Sequence, residues 1–531
     1  AAPAAPAARL QALDLMRGLI MVVMAWDHTK DIFADKAWMP KHRGAEMWEG
    51  PFSSYDDDWW WFFARAVSNV CAPGFFVTMG MSMALLTVTR LGQGWTRANV
   101  AHHFFVRGAI LLAVGRLVDP PFLLAPFVQV LKGMTIDNFH GTYSPDHPLA
   151  IVRDFFVGIF EVMTGLGLVM MTATVVLFPA YELYLWQTES EDRDHAAAQA
   201  SLEAPLLEAQ TDASSDAHVP LDLPGPRSTS SRSSPIKDAL RRASLRMASS
   251  KSNISLPELF VYPVFIAVYA WSNIAIVQAQ GDDFYLNRNA TFPDAGYRAS
   301  NAWQVLGRFF VYPGSLPSPL GSNSYPVIPW LAMTSLGIGL GFSLKRNADG
   351  TIRRLGRMGV LFLACFVLVR LFGGPVGNYR GLPRGDGQRD TDEVRVNKLL
   401  AFFITCKYPP SLAFFLLYVG IDLVVIYAFF RSQAVFPIAN PRSWPSRTAQ
   451  FLWDTCLIFG QVPLFFYVLH FWTLGPVSAI VAAVTPDSQY KVSLPACVLI
   501  WLTLLSMLRP ACQRYGDFKR STPKDSLWRY I

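Results

Sequence analysis

Residues 13–33 read LDLMRGLIMVVMAWDHTKDIF, an apolar run long enough to cross a bilayer that still carries Arg17 near its start and Asp27-His28 near its end. Ionisable side chains are costly in hydrocarbon, so a span that keeps three of them points to chemistry or transport. On a helix rising about 1.5 Å per residue, Arg17 and His28 stand roughly 16 Å apart along the axis, about half the bilayer core. Eleven steps of about 100° leave them only about 20° apart around it. The two share one stripe at two depths, which suits a reaction whose partners arrive from opposite sides of a membrane.

The rest of the chain fits that setting. Of its 531 residues, 52% are hydrophobic and only 16% charged, well below the roughly 25% charge of a soluble domain. The net charge of +7 comes from Lys and Arg placed in short connections between apolar runs, and no nucleic-acid motif accompanies it. No nucleic-acid partner is expected. Six scattered cysteines (Cys71, Cys365, Cys406, Cys456, Cys497 and Cys512) form no CxxC and read as small apolar packing residues.

Taken in order, the apolar runs predict an all-α, polytopic transmembrane bundle of about ten spans. They cover residues 13–33, 66–89, 104–124, 151–185, 259–278, 327–344, 360–372, 412–430, 462–484 and 494–508. The opening AAPAAPAARL is low in complexity, and the first run is too long for a signal peptide, so it is expected to be retained. The WWWFF at 59–63 reads as an interfacial anchor. Between residues 188 and 255 the composition turns to Ser, Ala, Pro, Asp and Arg, which predicts a disordered cytosolic linker. A short amphipathic helix at 236–247 would lie on an anionic membrane face. The linker divides the membrane core into 1–187 and 256–531.

Charge orients the bundle. With ten spans both termini share a side, and the loops on that side hold Arg90, Arg97, Lys345, Arg346, Arg353, Arg354, Arg357, Arg431, Arg442 and Arg447. The positive-inside rule places both termini in the cytosol. The Asn289 glycosylation sequon then falls on the lumenal or extracellular side, with His28. The membrane would be the plasma membrane or an endomembrane of lysosomal or vacuolar type.

The stretch ALDLMRGLIMVVMAWDH at 12–28 resembles the first span of the heparan-alpha-glucosaminide N-acetyltransferase catalytic-domain family, in its bacterial and fungal branch. ARAVSNVCAPGFFVTMG (64–80), SYPVIPWLAMTSLGIGLG (324–341), CKYPPSLAFFLLYVG (406–420), FGQVPLFFYVLH (459–470) and RPACQRYGDFKR (509–520) extend the likeness in order over almost the whole chain outside the linker. More distantly, the Arg17–His28 spacing is similar to that of membrane O-acyltransferases of bacterial polysaccharides. The resemblance implies an acyltransferase that takes an acyl group from cytosolic acetyl-CoA and gives it to a sugar amine or hydroxyl across the membrane. Ser68-Asn69 stand where the bacterial branch usually carries Thr-His. The lysosomal branch commonly has Asn at the position of His28 and a loop histidine that His42 matches poorly in spacing. Heparan itself is therefore not implied.

Acyl transfer needs a base for the acceptor proton and an anion site for the CoA phosphates. His28 suits the base, since imidazole titrates near neutrality, or else it makes an interhelical hydrogen bond. Asp27 is a candidate to orient it, although neighbouring helix residues point about 100° apart. Arg17 could grip phosphates, or instead snorkel or pair with Asp14. Lys407 and Tyr408, before Pro409-Pro410 at an irregular helix start, are further cofactor-binding candidates, and Asn69 and His470 are candidates to line the same cavity. Arg107, Arg116, Glu161, Arg370 and Asp422 read as structural ion pairs. No histidine spacing suits a metal. Membrane lipid, acyl-CoA and a carbohydrate-like acceptor are the expected partners, with a homodimer possible. A small-solute transporter or a non-catalytic scaffold or sensor are the competing classes.

Overall fold

A computed structural model describes residues 6–34, 46, 59–138, 141–146, 162–212, 255–280, 302–311, 313–315, 322–373, 377–378, 398–438, 443–484, 492–523, 526 and 528. The described residues are helical almost throughout. In order come α1 (Pro6–Phe33), α2 (Trp59–Ala66), a 3-10 turn (Val67–Val70), α3 (Cys71–Gly92) and α4 (Arg97–Leu131). A hairpin of β1 (Ile136–Asn138) and β2 (Gly141–Tyr143) precedes α5 (Val162–Thr172), α6 (Thr174–Asp212), α7 (Leu256–Gln280) and α8 (Ala302–Phe310). A second hairpin, β3 (Gly314–Ser315) and β4 (Ser322–Asn323), leads to α9 (Val327–Arg346), α10 (Ala348–Phe372), α11 (Lys398–Phe403) and α12 (Leu412–Ser432). The series closes with α13 (Trp444–Gln461), α14 (Pro463–Val484) and α15 (Leu494–Ser521).

Seven of these segments among the described residues are long and apolar enough to cross a membrane: α2 with α3, then α4, α9, α10, α12, α14 and α15. The pair α5–α6, bent by 45° at its break, makes an eighth. The sequence count of about ten also includes α7, whose apolar stretch is shorter, and α1, which carries Asp14, Arg17, Asp27, Lys30 and Asp31. The expected all-α polytopic bundle is what the chain forms.

Three expectations are corrected. Helix α6 continues past residue 188 to Asp212, so the first part of the supposed linker is helical. At its far end Ser255 is buried in a capping box, its N–H donating to Glu258 Oε2 (2.9 Å) while the Glu258 N–H donates to Ser255 Oγ (3.4 Å). The next N–H, of Leu256, donates to Gln187 Oε1 at 2.8 Å, tying α7 to α6. Second, Arg353, Arg354 and Arg357 stand on α10 and not in a loop, because the Asn347 side chain accepts the Gly350 N–H (3.0 Å) and starts the helix there. Third, residues 444–461, read as connection, form α13. Its mixed polarity hid it, and it packs along α1. The Asn289 sequon, His42, Glu161 and the 236–247 segment lie outside the described residues.

Glycines let the helix backbones meet. A Cβ on Gly80 of α3 would collide with the Thr334 carbonyl of α9, and one on Gly337 with the Val77 carbonyl. Gly18 of α1 faces the Cys456 carbonyl of α13, and Gly460 faces the Asp14 carbonyl in return. Small residues permit this approach where lipid supplies no hydrophobic drive between helices. Gly80→Val is expected to lower the Tm in detergent by at least as much as ordinary overpacking of about 1–3 kcal/mol. Gly92→Ala, where a Cβ meets nothing within 4 Å, serves as the control. Equal melting of both variants would contradict the packing argument.

The contacts also fix direction. Arg17 reaches Ser82 of α3 and Trp26 reaches the Ala64 carbonyl of α2, so α3 runs antiparallel to α1. Helices α9 and α12 run with α3, as Gly337 against Val77, Gly341 against Met81 and Tyr418 against Asn69 require. Helix α15 is antiparallel to α1, since the Val492 N–H donates to the Phe33 carbonyl (3.0 Å) and Trp501 donates to the Val22 carbonyl (2.9 Å). The basic helix ends at Arg90, Lys345, Arg346, Arg431, Lys519 and Arg520 therefore gather at the Asp14 end of α1.

Candidate functional site

The far end of α1 holds two linked polar systems. The first is a pair of imidazoles. His28 Nδ1 lies 2.7 Å from Nε2 of His470 on α14, with the rings 11° from parallel. His470 Nδ1 lies 3.1 Å from the Phe466 carbonyl one turn back on its own helix. A carbonyl only accepts, so the proton of neutral His470 sits on Nδ1 and its Nε2 is the acceptor. His28 must then donate from Nδ1, which leaves the lone pair of its imidazole on Nε2. His470 is fully buried and His28 half-buried, and Phe471 closes over both rings with its centroid 4.4 Å from that of His28.

The second system is ionic. Asp27 sits between two cations. Its carboxylate accepts from Lys30 Nζ (2.7 Å) one helical turn on and from Arg65 Nη1 (3.1 Å). The roughly 100° between adjacent helix residues turns it to that side. Arg65, near the end of α2, also grips Glu46 in a two-point bond, Nε to Oε1 at 3.0 Å and Nη2 to Oε2 at 2.6 Å. Asn69 Nδ2 donates to Glu46 Oε1 (2.9 Å), and the Glu46 carbonyl accepts the N–H groups of Lys407 (2.9 Å) and Tyr408 (3.1 Å). Burial works against charge on Glu46, yet Arg65 more than offsets it, helped by Lys407 and Asn69, and holds the carboxyl below the usual carboxylate range. Glu46, Phe62, Arg65, Asn69, Thr405 and Tyr418 line a cavity of about 10 Å³, the scale of one water.

Asn69 lines this small cavity beside the ion pairs, and neither His28 nor His470 is among its walls. Lys407 and Tyr408 are not companions of Arg17. They belong to the His28 end, where the Tyr408 hydroxyl meets that of Tyr325 at 3.3 Å. Arg17 stands at the opposite end, 24% exposed, bonded to Asp14 (2.9 Å) and to the Ser82 hydroxyl. Of the presumed ion pairs, Arg370 instead donates to the Phe402 (2.7 Å) and Ala401 (2.8 Å) carbonyls, while Asp422 has no cation beside it among the described residues. Sequence reasoning missed Lys30, Arg65 and Glu46. The first two were visible as charges inside or beside apolar runs; Glu46 gave no local signal. No protein-family model matches this chain, and no curated protein matches it either.

Proposed function

We propose that this is an integral membrane acyltransferase that moves an acetyl or related acyl group from acyl-CoA, entering at the Asp14 end, to an amine or hydroxyl of a carbohydrate-like acceptor at the His28 end. The observation that carries the reading is the imidazole pair. A backbone carbonyl fixes one ring, that ring fixes the next, and the outer imidazole is left with its base nitrogen defined. In the transfer, the acceptor oxygen or nitrogen attacks the thioester carbonyl as its proton passes to His28 Nε2. The new C–O or C–N bond forms, the C–S bond breaks, and CoA departs as thiolate. A covalent acyl-His28 step is the variant of the same chemistry.

Two further features support the sidedness. The basic helix ends gather at the Asp14 end, which the positive-inside rule assigns to the cytosol, where acyl-CoA is made. Arg17, held by Asp14 and Ser82 and still partly exposed, offers a guanidinium for a phosphate there. The test is sided. Vesicles holding the protein receive labelled acetyl-CoA at one face and sugar acceptors at the other, and label should appear on the acceptor across the membrane. Arg17→Ala is expected to raise KM for acetyl-CoA about tenfold or more, as loss of one charge-assisted phosphate bond of roughly 1.5–3 kcal/mol implies. Uptake of unmodified sugar without acetyl-CoA would favour a transporter, and no labelled acceptor from any sugar tried would remove the proposal.

A further inference from the structure

Val100, Phe104, Leu111, Val114 and Val118 form the buried stripe of α4, and Arg107 falls on it, between Phe104 and Leu111 at helical spacing. The opposite face, with Phe105 and Leu117, is the exposed one. Arg107 therefore turns into the bundle and not towards lipid. The sequence suggested an ion pair for it, yet it has no hydrogen bond and no ion pair among the described residues. The charge that acts on it is a second guanidinium, that of Arg17 on α1. Asp14, the acid bonded to Arg17, is also drawn on by Lys519, and the charges acting on His103, one turn before Arg107, are Arg107, Arg90 and His102. A cation turned inward beside another cation is costly, and an anion taken up between them relieves both. Arg107 is half-buried and the Arg17 side chain 24% exposed, so an approach to the pair stays open.

Two independent routes put the guanidiniums at one depth. Ser82, which holds Arg17, lies ten residues before the end of α3 at Gly92, and Arg107 lies ten residues after the start of α4 at Arg97, so the two arms of that hairpin match. On the other side, Trp472 of α14 donates to the Leu117 carbonyl (3.0 Å) and Gly475 rests on the Pro121 carbonyl, so α14 runs parallel to α4. Carried back, that register sets Arg107 level with the break between α13 and α14 at Val462, beside the Gly460 that rests on Asp14 and Gly18. Ten residues of helix are roughly 15 Å, so the pair stands well inside the headgroup layer. Neighbouring guanidinium forks suit a group with several anionic oxygens. We propose that Arg107 and Arg17 together clamp a phosphate and that, within the acyl transfer on which this assignment rests, the phosphate belongs to acyl-CoA. From there the roughly 16 Å along α1 to His28 is a distance that an extended pantetheine arm spans.

The test uses the full chain in maltoside micelles, which carry no phosphate, with Arg107→Gln and Arg107→Lys. Arg107→Gln should weaken the binding of coenzyme A by about tenfold or more, and Arg107→Lys should recover part of the loss as a point charge. Acetyl-pantetheine, which has the thioester arm and no phosphate, should bind the wild type and Arg107→Gln alike. Coenzyme A should raise the Tm of the wild type by more than that of Arg107→Gln. Without ligand Arg107→Gln should melt no lower than the wild type, since it removes a charge that has no protein partner. Unchanged affinity for coenzyme A, or an equal loss for acetyl-pantetheine, would overturn the clamp. If short-chain phosphatidic acid raises the Tm through Arg107 and coenzyme A does not, the phosphate is a lipid's and the assignment to the coenzyme is overturned. If coenzyme A binds through Arg107 but vesicles transfer no acyl group, the acyltransferase reading falls and the phosphate site stands.

Discussion

His28→Ala is expected to lower acyl transfer by about 10²–10⁴-fold, the usual worth of a positioned general base. The loss should fall on kcat, since imidazole acts on the acceptor proton in the transition state and donor binding at the Asp14 end is untouched. Truncation also strands the Nε2 of buried His470, and an orphaned buried acceptor costs about 1–3 kcal/mol, so a lower Tm accompanies the lost activity. His470→Asn separates the two effects. Asparagine can still accept from His28 Nδ1 but does not reproduce the fixed relay to the Phe466 carbonyl. Its kcat should fall less than that of His28→Ala, with a displaced pH profile. Because the rings act as one unit, the double variant should be no slower than His28→Ala alone. Additive losses, or full activity in His28→Ala, would sink the proposed base.

Arg65→Ala should produce the largest loss of stability. One guanidinium bridges Asp27, which Lys30 also holds, and Glu46, and removing one partner of a buried pair costs about 3–5 kcal/mol. Arg65→Lys should recover only part of it, because an ammonium cannot make the two-point bond to Glu46 and reach Asp27 as well. Acidity gives a second readout. Glu46 titrates lower in the fold than in the unfolded chain, so its stabilisation is complete above the ordinary carboxylate range and is lost as the pH falls through its depressed value. The gap in Tm between wild type and Arg65→Ala should therefore narrow as the pH is lowered below that range. A gap constant with pH would mean that the pair does not carry the stability assigned to it.

The bundle was legible because length and apolarity are local properties: each run from 66–89 to 494–508 announces itself. What failed were places where local composition and tertiary setting disagree. Helix α13 is too polar to read as a membrane element; Ser443 caps its start and Gly460 lets its end rest on α1. Helix α6 runs into polar sequence that carries no apolar stripe. At the site, His28 and Arg17 could be read from one helix, as their spacing is set by that helix alone. Their partners could not. His470 lies 442 residues further along the chain and Ser82 65, and only the packing of α14 and α3 brings them near. The cations on Asp27 divide the same way: Lys30 stands one turn on in the same helix, whereas Arg65 comes from another.

The seam where Gly18 and Gly460 rest on opposing carbonyls makes α1 a fixed spindle. Sliding or turning it by even part of a pitch would drive peptide planes of α13 into it. In the proposed acyl transfer, an opening for coenzyme at one mouth and acceptor at the other would therefore come from neighbours that yield, with both ends of this helix keeping their spacing.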